Sequence, residues 1–193
     1  MSRIKFIFLL SFLLTSFGIL GQTRLNSKAG PSDEDRNVFI DGEWFQFRIH
    51  YGILNASYVT LGLEKDTLDN VPVFHAKGYG ATTGIAKFFY KVEDYYDSYF
   101  SEESGLPLWF IRNINESGYT KNLEIKFDHK KRVAKINDKK NNKRQEIKIN
   151  PNAQDLISAF YYLRNVKNIS QMKVGESINI NMFFDAENYL FKL

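Results

Sequence analysis

The chain has 193 residues, 44% of them hydrophobic and 16% aromatic, with 26 Lys+Arg against 22 Asp+Glu, a formal net charge of +4 and no cysteine. That length suits one domain with its own core. The missing cysteine excludes both a disulfide framework and lipid attachment at a lipobox. The charge is less basic than it looks, because removing residues 1–21 with Arg3 and Lys5 leaves 24 basic against 22 acidic side chains.

Residues 1–21, "MSRIKFIFLLSFLLTSFGILG", combine a short basic start, a mostly apolar middle and a small residue before Gln22. That pattern predicts a secretory signal peptide. The apolar stretch is short for a bilayer crossing, which takes about 20 residues. Export to the periplasm or cell envelope is the expectation. Residues 22–36, "QTRLNSKAGPSDEDR", are polar with a Gly-Pro break and read as a flexible leader. Residues 37–193 are then expected to form a single β-rich domain.

Alternation of apolar and polar side chains every second residue marks half-buried strands. In "EWFQFRIHYG", Trp44, Gln46, Arg48 and His50 share one face, while Phe45, Phe47, Ile49 and Tyr51 share the other. "SYVTLGLEKD" and "VPVFHAKGYG" continue the rhythm across a turn at Asp69-Asn70. Ile85, Phe88 and Phe89 of "ATTGIAKFFY" have helical spacing and predict a short helical crossing over a barrel mouth. Residues 90–100, 107–116, 119–128, 131–138 and 144–149 read as five more strands separated by turn-like segments.

The one extended helix is expected in "NPNAQDLISAFYYLRNV". Asn150 would be its cap, Pro151 its first residue, Asp155 would lie in its first turn, and Leu156, Phe160 and Leu163 would form its apolar stripe. The final run, "ESININMFFDAENYLFKL", alternates again. The expected class is mainly β: a strongly curved antiparallel sheet or open β-barrel with one α-helix late in the chain.

The acidic-aromatic segment "KVEDYYDSYF" yields the chief candidate residue. As a strand it places Glu93 and Asp97 with Lys91, Tyr95 and Tyr99 on a wet face, and Asp94 between Val92 and Tyr96 on the apolar face. A carboxylate there must find a partner, or its pKa must rise. Arg48, Arg112 and His50 are the expected partners, so Asp94, Arg48, Arg112, His50 and Tyr96 form the candidate binding set. Asp94 could serve as an acid, base or ligand anchor, or as half of a buried ion pair that holds strand register.

His50, His75 and His129 show no metal-ligand spacing, so no metal site is expected. No GxSxG is present, and "GYGATTG" lacks the spacing of a phosphate loop. No catalytic residues and no cofactor are assigned. Residues 126–148 carry ten Lys+Arg against three acids. The charges fall outward and on loop tips, where they serve solubility and edge protection. Alternatively they touch anionic lipid head groups or acidic polysaccharide. Nucleic acid is not expected as a partner.

"GEWFQFRIHYGILNASYVTLGLE" (42–64), "KVEDYYDSYFSEESGLPLWFIRNINESGY" (91–119) and "QDLISAFYYLR" (154–164) together resemble an exported bacterial domain family of unknown function, DUF3108, in its Bacteroidetes type. The resemblance runs from about Asp41 to Leu193 and implies an envelope-facing β-rich domain, but no activity, cofactor or site residue. It also implies further strands past Leu193, so a C-terminally truncated domain is expected.

The expected function is that of a non-catalytic cell-envelope protein. It would bind or carry an apolar or amphipathic envelope component, such as a lipid, against an aromatic inner face. One alternative is an assembly or scaffold module that pairs with another envelope protein. Another is an enzyme acting on glycan or lipid, which would need Asp94, Arg48 and His50 to converge. Peripheral membrane contact fits any of the three.

Overall fold

The computed structural model describes residues 38–51, 54–165 and 172–193, so the signal peptide and leader expected over 1–21 and 22–36 lie outside the described residues. Eight strands form one antiparallel sheet in chain order: β1 (Trp44–Tyr51), β2 (Leu54–Leu68), β3 (Val71–Thr82), β4 (Glu93–Ser101), β5 (Pro107–Glu116), β6 (Tyr119–Asp128), β7 (Val133–Asp138) and β8 (Lys143–Lys148). The β3–β4 connection contains a four-residue helix, α1 (Ala86–Phe89). Helix α2 (Leu156–Asn165) and a separate hairpin, β9 (Asn179–Phe184) with β10 (Glu187–Lys192), complete the described chain. The expected mainly-β class holds. The sheet stays open rather than closing into a barrel, with β1 and β8 as its edges.

Period-two alternation sets which face each strand buries. On the inner face Leu61 and Leu63 of β2, Phe74 and Ala76 of β3, Phe100 of β4, Phe110 of β5 and Leu123, Ile125 and Phe127 of β6 join one core. Helix α2 covers part of this face: the Phe160 ring meets Phe45 and Phe47 of β1 at 5.8 and 6.0 Å, and Tyr161 meets Phe100 at 5.5 Å. The hairpin covers more of it, with Phe183 against Phe127 at 6.1 Å. Tyr161, Phe74, Phe100, Phe110 and Phe183 are all fully buried. The inner face expected to cradle a ligand is therefore packed with the protein's own side chains.

Two local expectations change. The long helix starts later than proposed, because Asp155 is its cap rather than a first-turn residue. Its Oδ1 accepts from the N–H groups of Ile157 and Ser158, both at 2.8 Å. The Ser158 hydroxyl accepts from the Asp155 N–H at 2.9 Å, completing a reciprocal cap. Asn150 instead bonds the hairpin, its N–H donating to Asn188 at 2.9 Å. The buried face runs through Ile157, Ser158 and Tyr161, and Leu156 and Phe160 are half-buried at its flank.

The final alternating run forms two strands, β9 and β10. Asp185 and Ala186 adopt φ of 48° and 64°, which reverses the chain as the Asp69-Asn70 turn does with 50° and 64°. α1 forms where helical spacing predicted it, but it does not cross the core. Phe88 and Phe89 are 91% and 84% exposed.

Candidate functional site

Asp94 lies on the inner face, as the alternation predicts, and only 4% of its surface is exposed. Its Oδ1 accepts from the Asn115 N–H at 3.1 Å, and its carboxyl faces that of Glu116. Burial pushes the Asp94 carboxyl up to about 6; Glu116 pushes the same way, while the Asn115 N–H and the Arg112 charge hold it back. Glu116 also receives the Tyr90 hydroxyl at 3.2 Å. The expected ion pair is replaced by two neighbouring carboxyls beneath one backbone donor.

Arg112 is close enough for its charge to act on Asp94, but the carboxylate it bonds is Asp185, in the β9–β10 turn, at 2.5 Å. Lys121 bonds the same oxygen. The Arg112 guanidinium stacks 4.2 Å above the Phe184 ring and 5.8 Å from that of Tyr96. Together these contacts clamp the hairpin onto the sheet. Tyr96, whose ring stacks on Phe110, has its hydroxyl pushed up to about 12, chiefly by burial.

Arg48 and His50 are elsewhere. Both are exposed on edge strand β1, on the face opposite Asp94, and Arg48 donates to Asn55 at 2.5 Å. β2 and β3 separate their strand from β4, a distance of roughly 14 Å at normal strand spacing. The structure thus brings Asp94, Tyr96 and Arg112 together and leaves Arg48 and His50 apart from them. An acid–base set of Asp94, Arg48 and His50 does not assemble.

The outer face, wet as the alternation predicts, also carries ordered rows of aromatic side chains. The strand register aligns its side chains in rows across the sheet. One row runs Trp44, Gly62, Lys77, Asp97, and a second runs Gln46, Thr60, Tyr79, Tyr95, Asn113, Asn122. A third, His75, Tyr99, Trp109, Lys126, is a continuous stack: His75 on Tyr99 at 4.0 Å, Tyr99 on Trp109 at 5.1 Å, and the Lys126 ammonium 5.5 Å from the indole.

Two shallow depressions lie among these rows. The first, of about 370 Å³, is floored by Gly62 and flanked by Trp44, Tyr79, Tyr95, Lys77 and Asp97. Gly62 puts no side chain into it, and a Cβ built there would meet nothing within 4 Å. The second, of about 470 Å³, is lined by Glu93, Tyr95, Asn113, Asn115, Thr120, Asn122 and Lys140. Tyr95 borders both. Trp44 is 57% and Tyr95 47% exposed, so their rings are open to a ligand.

Polar groups around the first depression are held by one another. Lys77 donates to Glu64 at 2.7 Å, and the His75 ring bonds Asp97 at 2.8 Å. The pair with Glu64 raises the Lys77 pKa, keeping the ammonium charged. Chemically, the surface offers flat apolar rings beside amide, hydroxyl and carboxylate groups. Its signal in the sequence was the presence of Trp44, Tyr79, Tyr95, Tyr99 and Trp109 at the polar positions of their strands.

Among the described residues no group of His, Asp and Glu could hold a metal ion, and no helix is long and apolar enough to cross a membrane. In comparison with known proteins, the family described as "Protein of unknown function (DUF3108)" matches residues 46–193. Neither a curated protein nor a solved structure matches the chain.

Proposed function

The chain belongs to the DUF3108 family of proteins of unknown function, and from that premise we propose that it is an exported, non-catalytic cell-envelope protein that binds an amphipathic envelope component on the outer face of its sheet. The observation that carries this reading is the pair of depressions meeting at Tyr95, with exposed Trp44 at the far side of the first. A ligand with flat apolar faces and hydroxyl edges suits them, as a glycan chain does. Its ring faces would stack on Trp44, Tyr79 and Tyr95, and its hydroxyls would bond Asp97, Asn113 and Asn122. The open shape fits an extended chain rather than an enclosed small molecule.

The packed inner core leaves no room for the lipid expected there, so the reading moves to the outer side and to a glycan-like ligand. Export rests on residues 1–21.

The test is titration of the exported protein with oligosaccharides released from its own cell envelope, followed by calorimetry and indole fluorescence. Trp44→Ala and Tyr95→Ala should each weaken binding at least tenfold while shifting the thermal midpoint by less than about 2 °C, since both side chains are exposed. Unchanged affinity in both variants, or no binding by the parent protein, overturns the proposal.

A further inference from the structure

The end of the sheet where β3 hands over to β4 gathers exposed apolar side chains that no core explains. In and beside α1, Phe88 is 91% exposed, Phe89 84%, Ile85 59% and Tyr90 41%. Single exposed apolar residues are ordinary, but four within six positions, two of them almost fully exposed phenylalanines, form a patch that normally has an occupant.

The patch extends through direct contacts. The Lys91 and Ser117 backbones bond at 2.7 Å, joining α1 to the β5–β6 turn. Just beyond that turn is Tyr119, 51% exposed, with the Lys140 ammonium of the β7–β8 turn 5.9 Å from its ring. Lys140 also donates to the Thr120 carbonyl at 2.8 Å. Three turns therefore form one surface.

Its charge is predominantly basic. Lys87, Lys91, Lys140, Lys143 and Arg144 are exposed there. Against these five cations stand three acids: Glu116, which receives the Tyr90 hydroxyl at 3.2 Å, Glu93, 3.6 Å from Lys91, and Asp138, which receives the Asn141 amide at 2.7 Å. A protruding aromatic-aliphatic tip ringed by lysines matches a surface that is apolar beneath and anionic above.

We propose that this end of the sheet is a peripheral membrane anchor. Ile85, Phe88 and Phe89 enter the head-group and upper acyl region of a bilayer, while Lys87, Lys91 and Lys140 meet anionic head groups. Tyr90 and Tyr119, each with a polar tip on an apolar ring, suit the boundary between the two. The site is separate from the outer-face depressions and stands without them.

The test uses the full chain with Phe88→Trp and vesicles of phosphatidylcholine containing about one third phosphatidylglycerol, with and without brominated acyl chains. The two native indoles, Trp44 and Trp109, lie toward the opposite ends of β1 and β5 and act as internal references. The introduced indole should shift to the blue and be quenched by the brominated lipid. Phe88→Ser with Phe89→Ser should lower vesicle partitioning at least tenfold without lowering the thermal midpoint. Raising salt from 0.05 to 0.5 M should weaken binding severalfold, as screening requires.

Failure of the brominated lipid to quench the introduced indole overturns the proposal, even if another part of the chain holds the protein on the vesicle. Equal binding to vesicles lacking anionic lipid overturns the role of the lysines, and with it the membrane assignment as stated. A parent protein that is oligomeric in solution and becomes monomeric in the double serine variant assigns the patch to contact between copies, and overturns the anchor.

Discussion

Asp94 illustrates how one alternating pattern can settle a side chain's burial and not its partner. Its place between Val92 and Tyr96 demanded an inner-face carboxyl, and the strand delivers one at 4% exposure. The sequence offered Arg48, Arg112 and His50, each on a strand, as partners, whereas the folded chain supplies the Asn115 N–H and the Glu116 carboxyl. With a pKa near 6 in the folded state against 3.8 unfolded, the folded form holds its proton more tightly. Its contribution to stability is therefore fully present below about pH 4 and is lost as pH rises through 6. Urea unfolding of the parent protein should reveal that loss between pH 4 and 7. Asp94→Asn keeps the acceptor and removes the charge, so it should unfold like the parent at pH 4 and be more stable by roughly 1–2 kcal/mol at pH 7. A variant less stable at both pH values would mean that the ionised form is wanted. Asp155 is the contrasting case. It too is buried and raised to about 6, yet three protein groups donate to it, including the Ser98 hydroxyl at 2.6 Å. Its work is to cap α2 and tie that helix to β4.

Helix and sheet meet through a glycine. A Cβ on Gly78 of β3 would lie 3.2 Å from Ile157 Cδ1 of α2 and 3.3 Å from Leu61 Cδ2, a tight fit in which those side chains would have to give by a few tenths of an ångström. Gly62 of β2 points the other way into open space. The same substitution should therefore have opposite effects. Gly78→Ala should cost roughly 1–3 kcal/mol through overpacking. Gly62→Ala should be neutral or gain about 0.5–1 kcal/mol, since glycine weakens a strand interior. Denaturant unfolding distinguishes them, and equal effects would place α2 farther from β3 than described. "VPVFHAKGYG" made β3 a strand on alternation alone; which of its glycines a helix needed could not be read from spacing. β5 and β6 match their expected spans, 107–116 and 119–128, because each alternates cleanly between turn-forming residues. The strand expected from residue 90 begins at Glu93, because Tyr90 closes α1 and Val92 makes only an isolated bridge to Glu116. The last run hid a hairpin because Asp185-Ala186 interrupts the pattern without a glycine or proline.

At the scale of the molecule, the described chain has an inner side filled by α2 and the β9–β10 hairpin, an outer side lined with aromatic rows, and one turn cluster rich in exposed phenylalanine and lysine. Export is the expectation that sets its surroundings, and N-terminal sequencing of the protein released by its native host should begin at Gln22. A start at Met1 would withdraw both the envelope setting and the proposal that depends on it. By itself the sequence determined the mainly-β class, the strands, the late helix, the family and the burial of Asp94. All of these follow from side-chain alternation, turn chemistry or a recognisable run of residues, each confined to a short stretch of chain. Only the tertiary structure decided that the inner side is full, that Asp185 rather than Asp94 takes Arg112, and that Trp44, Tyr95 and Asn113 share one face. Those facts depend on register between strands and on what packs across the sheet, and groups far apart in the chain leave no periodic trace of the distance that will separate them.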